Sequence, residues 1–130
     1  MIAPRPSVLR FASAVIEREL ARGNAASEAT AAERVVARLR RELGRLIGPA
    51  GFDVLLARSL VLARRAYPVL ARVTAGPGGT LAGLDDPAPD VSAFHEGSVA
   101  LVAYFIELLA TLIGEDLAMR LVRSVWPEEE

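Results

Sequence analysis

The chain contains neither cysteine nor lysine. Without cysteine it has no disulfide, no thiolate metal ligand and no cysteine nucleophile, a composition that suits a reducing compartment. Without lysine, the segment Gly76-Pro77-Gly78-Gly79-Thr80 is no phosphate loop, because that motif needs a lysine and a preceding strand. Histidine occurs once, so any Ser-His-Asp arrangement would have to be built on His95. That residue sits beside Glu96 and Gly97 at a helix start and reads as a surface or capping histidine. Asp85, Asp86 and Asp90 are the nearest approach to a metal set, but Pro87 and Pro89 interrupt them and the spacing is not that of an EF-hand loop. The sequence therefore predicts no enzyme, no cofactor and no metal.

Aromatic residues are scarce, with one tryptophan and two tyrosines. Together with a net charge of −1 and the lack of a recognition-helix signature, this argues against nucleic acid as a partner. Acidic residues Glu17 and Glu19 follow Arg5 and Arg10 before any long apolar stretch, so no secretory signal is expected and the expected location is the cytoplasm.

What is present is a globular balance of 52% hydrophobic and 24% charged residues over 130 positions, the size of one domain. Charge is unevenly placed. Residues 1–72 carry thirteen of the fifteen arginines against six acids, whereas residues 73–130 carry two arginines against ten acids. The two halves either neutralise each other within the fold or leave a dipolar surface that orients a partner.

Helical periodicity organises most of the chain. Ser7 reads as the cap of a first helix over Val8–Arg22, with Phe11, Val15 and Ile16 on its apolar side and Gly23-Asn24 at its end. Thr30 and Glu33 have the spacing of a capping box before a second helix. Its apolar stripe is Ala32, Val36, Leu39, Leu43 and Leu46, widened by Val35 and Ile47. Arg34, Arg38, Arg41 and Arg45 repeat the same steps on the opposite face and form an arginine ridge, the leading candidate for partner binding. Glu42 is placed to pair with Arg38 or Arg45. A third helix runs from Pro49 to about Val73, with Phe52, Leu55, Leu56, Leu62, Ala63, Ala66 and Leu70 inward and Arg58, Arg65 and Arg72 outward. Pro68 predicts a break near Ala66–Pro68. Residues 74–90 read as a flexible Gly/Pro-rich loop, and 127–130 as an acidic tail.

The densest apolar run is Val99–Ile113, preceded by a short helical turn that starts at Asp90 or Ser92. At fifteen residues with Glu107 at its centre, the run is shorter than the roughly 18–20 residues that cross a bilayer, so no membrane span is expected. Beyond it, either one bent helix continues through Gly114 or a separate helix begins at Glu115. Glu107 shares a stripe with Ala103, Ala110, Gly114 and Ala118, small residues that would admit a second helix. It either pairs there with an arginine from another helix or subunit, or stands in water, the placement that Tyr104 and Thr111 beside it favour.

These patterns predict an all-α bundle of four or five helices, two hairpins joined by the Gly/Pro loop. A mean hydropathy of +0.33 leaves apolar surplus for burial between subunits. The expected function is a non-enzymatic protein–protein interaction module, a homo-oligomer or adaptor or regulatory subunit, using Arg34, Arg38, Arg41, Arg45 and Glu107. Its partner would be a second copy or an acidic protein surface. The alternatives are an anion-binding protein that grips nucleic acid or an anionic membrane with the ridge, and a small-ligand pocket built on Glu107 or His95.

Overall fold

The computed structural model describes residues 3–21, 28–76, 80–82 and 91–126. Among these described residues five helices, α1 (Pro6–Ala21), α2 (Glu28–Ile47), α3 (Pro49–Ala66), α4 (Val91–Ile113) and α5 (Glu115–Val125), build an all-α bundle. A 3₁₀ turn at Pro68–Leu70 follows α3. Two three-residue strands, β1 (Thr74–Gly76) and β2 (Thr80–Ala82), pair antiparallel with Ala75 opposite Leu81. This strand pair lies where the sequence predicts only loop; half-buried Ala75 and Leu81 pack on the core and give the short hairpin an apolar side.

α4 is the centre of the fold, packed against α1, α2, α3, α5 and the 3₁₀ turn. Every residue from Gly97 to Leu109 is buried. Phe105 meets Phe52 of α3 with ring centroids 5.1 Å apart, and Trp126, just past α5, is fully buried. The helix is longer than its apolar run implies. Val91 starts it, so Gly97 lies inside the helix and no separate turn precedes Ser98. Its 23 residues extend about 34 Å, enough by length and composition to cross a membrane. The length argument against a span therefore falls. What covers the apolar surface in this structure is other protein, with 72% of its most apolar window buried inside the bundle.

Two helix starts and two core positions differ from the sequence reading. Pro6 opens α1 and the Leu9 N–H donates to the Arg5 carbonyl, so Ser7 is a helical residue and not the cap. Proline suits that first position because its missing N–H would have had no helical partner. α2 begins at Glu28, which places Thr30 inside the helix and removes the capping box; the alanines around it extend the helix at minimal propensity cost. Leu46, predicted to continue the core stripe, is 63% exposed beyond the reach of the neighbouring helices, and Ala66 is likewise exposed at the end of α3. The predicted break occurs: α3 ends at Ala66, the Tyr67 N–H donates to the Ala63 carbonyl, and Pro68 opens the turn. Gly114, with φ +96°, separates α4 from α5 and decides for two helices over one bent helix.

Candidate interaction surfaces

The five residues singled out from the sequence fall at three different places. Glu107 is buried, which corrects the solvent-facing placement that Tyr104 and Thr111 favoured; Tyr104 is itself buried. The carboxylate lies under the start of α1, where Oε2 accepts from the Arg5 backbone N–H at 2.8 Å and from Arg5 Nε at 3.0 Å. Arg5 also pairs with exposed Glu115 at the head of α5. Hydrogen bonds from Arg5 to Glu107 and then Glu115 hold the guanidinium pKa above its ordinary value. The small-residue stripe is thus partly covered from within the chain: Ala103 and Ala118 have no exposed surface. Beside this clamp lies a hollow of about 660 Å³ between α1 and α5, bordered by Ser7, Glu115, Asp116, Arg120 and Arg123 among others.

Arg38 does not stand on an open ridge. Its guanidinium lies 5.6 Å from the Trp126 ring centroid and 3.5 Å from the buried carboxylate of Glu19 on α1. Arg34 is half-buried and engaged within the chain. The ridge is interrupted because the N-terminal half of α2 is covered on more than its core face, as the complete burial of Ala31 records. Arg41 and Arg45, nearer the C-terminal end, are exposed. They share a hollow of about 500 Å³ with Arg40, Gly44, Gly48 and Pro49. Glu42 forms no ion pair with Arg38 or Arg45. His95 is half-buried within α4 and makes an interaction of its own; neither hollow is lined by His95 or Glu107. Asp85, Asp86 and Asp90 lie outside the described residues, among which no metal-competent cluster of acids and histidine occurs.

One surface that the sequence reading passes over is the outer face of α3. Opposite the buried Phe52, Leu56 and Ala63, the helix presents Ala50, Val54, Ala57 and Val61, all exposed, with Val54 at 65% and Val61 at 39%. Their spacing of four, three and four residues makes a continuous stripe that Arg58 and Arg65 flank. The arginines at 58, 65 and 72 mark this side as polar, and they mask the second apolar stripe; the 50-54-57-61 spacing was the available signal. Leu112 and Leu117, on either side of Gly114, form a second exposed apolar corner. Compared with family models, curated proteins and solved structures, the chain matches none.

Proposed function

We propose that this protein is a non-enzymatic interaction module that associates with a second copy of itself along the outer face of α3. The observation that carries this reading is that α3 is apolar on two opposite sides, one packed into the core and one exposed at Ala50, Val54, Ala57 and Val61. A helix with apolar residues on both sides needs a cover on both.

The pattern also favours a particular occupant. Val54 and Val61 take the a positions of a two-stranded seam and Ala50 and Ala57 the d positions; β-branched residues at a suit parallel pairs, and alanine lets backbones approach closely. In that register Asp53 and Arg58, five residues apart, are the g and e positions that form ion pairs between parallel helices. Neither has an ion-pair partner among the described residues, and Asp53 Oδ1 is shielded without a hydrogen bond. A two-fold axis along α3 would offer Asp53 of each copy to Arg58 of the other, twice per dimer. An antiparallel pair would instead bring the two Arg58 side chains together.

Sedimentation equilibrium tests the reading. A dimer is expected at micromolar concentration, lost in Val54→Asp and in Asp53→Arg with helicity unchanged, and regained in Asp53→Arg/Arg58→Asp. A chain that stays monomeric at hundreds of micromolar, or a dimer indifferent to Val54→Asp, overturns it.

A further inference from the structure

The hollow at the α2–α3 corner has a chemistry that self-association does not use. Arg40, Arg41, Gly44 and Arg45 occupy one sector of the last turns of α2, and Gly48 and Pro49 close the hollow from the side of α3. Three arginines border it and, among the described residues, no acidic residue does. None of the three has an ion-pair partner among the described residues. Arg40 Nε is shut off from solvent and donates to nothing, a position in which a charged donor is costly to leave unmatched. The space beside Gly44 is open: a Cβ there would meet no atom within 4 Å.

Arg45 in the last turn of α2 has a structural role, since a cation there offsets the negative end of the helix dipole. That accounts for one arginine and not for three. The guanidinium fork matches the oxygens of a phosphate group, and several converging forks discriminate such a group from a monovalent halide. Next to the lining residues Gly48 and Pro49, the first turn of α3 has no side-chain cap and no acidic residue. A volume of about 500 Å³ falls within the range of small-molecule sites. We infer that the α2–α3 corner binds the phosphate group of a small soluble phosphorylated compound through Arg40, Arg41 and Arg45.

Inorganic phosphate and pyrophosphate are the probes, titrated into ¹⁵N-labelled protein with chloride adjusted to hold ionic strength constant. Saturable shifts are expected at Gly44, Ala50 and Gly51, with pyrophosphate affinity falling at least tenfold in Arg40→Gln. If Arg40→Gln unfolds, the exposed pair Arg41→Gln and Arg45→Gln carries the same expectation. Shifts that chloride reproduces, or that survive these substitutions, overturn the site. So does binding to phosphatidylglycerol vesicles without binding to pyrophosphate, which would make the corner a membrane contact.

Discussion

Gly97 of α4 faces Leu70 so closely that a Cβ at position 97 would lie 3.0 Å from Leu70 Cγ, 3.1 Å from Cδ1 and 3.2 Å from Cδ2. Leu70 is buried in the 3₁₀ turn and cannot swing into solvent. The glycine inside an otherwise strongly helical segment is therefore a packing device, admitting the turn against the central helix. Gly97→Ala is expected to destabilise by about 1–2 kcal/mol, since overpacking outweighs a gain of about 1 kcal/mol in helix propensity. In a Leu70→Ala background the same substitution should become neutral or stabilising. Urea denaturation of the four proteins in this cycle measures the coupling; two additive single effects would show that the contact is not the cause.

The Arg5–Glu107 clamp should be asymmetric in its energetics. Glu107→Ala removes a buried acceptor of two hydrogen bonds and should cost about 2 kcal/mol. Arg5→Ala should act in the same direction by less, because its backbone N–H still serves the carboxylate and its side chain is 36% exposed. The raised pKa of Arg5 fixes the sign on the alkaline side. Its stabilisation is full below the unfolded arginine value and is lost only as pH rises through the still higher folded value. Melting curves of wild type and Arg5→Ala should therefore keep a constant separation from pH 7 to pH 10.

Three glycines separate conformational need from mere openness. Gly48 and Gly114 have φ of +80° and +96°, and alanine at either should cost about 1 kcal/mol or more although neither site is crowded. Gly44 is helical and uncrowded, and Gly44→Ala should stabilise by about 0.5–1 kcal/mol. Thermal unfolding followed by circular dichroism ranks the three; equal effects would refute the backbone argument.

Arg38 should be replaceable only at a cost. Arg38→Ala takes away the cation over Trp126 and a charge partner of buried Glu19, and a loss of about 1–2 kcal/mol is expected. Trp126 is the single tryptophan and fully buried, so its fluorescence reports the site directly. The substitution should alter its emission in the native state and leave the unfolded spectrum unchanged.

The elements themselves were legible wherever one face is apolar and the other is not. The 3.6-residue period marks α1, α2 and α3, and Pro68 marks the end of α3. α4 was harder because periodicity fades in a helix covered on all sides: the run from Val99 was plain, whereas the stretch before Ser98, crossing Gly97, read as a separate short helical turn. The arginine ridge shows the limit of reading a helix face by spacing alone. Arg38 and Arg41 share one face of the helical wheel, yet one is covered by Trp126 from the far end of the chain and the other is exposed. Of the two readings open for Glu107, the arginine pair is the one found, and spacing alone could not choose it because the partner, Arg5, lies 102 residues away.

That separation of 102 residues bears on how the chain folds as well as on how it holds together. Closing so long a loop is entropically unfavourable, and the cost precedes the reward of the contact. Helices α1 to α3 are neighbours in sequence and can pair early, whereas the clamp between the first residue before α1 and the middle of α4 can form only once the bundle is nearly assembled. It should be absent from the folding transition state, so that Glu107→Ala accelerates unfolding and leaves the refolding rate almost unchanged. The Arg5–Glu107 pair is then a latch on the lifetime of the native state, set after the fold has been chosen.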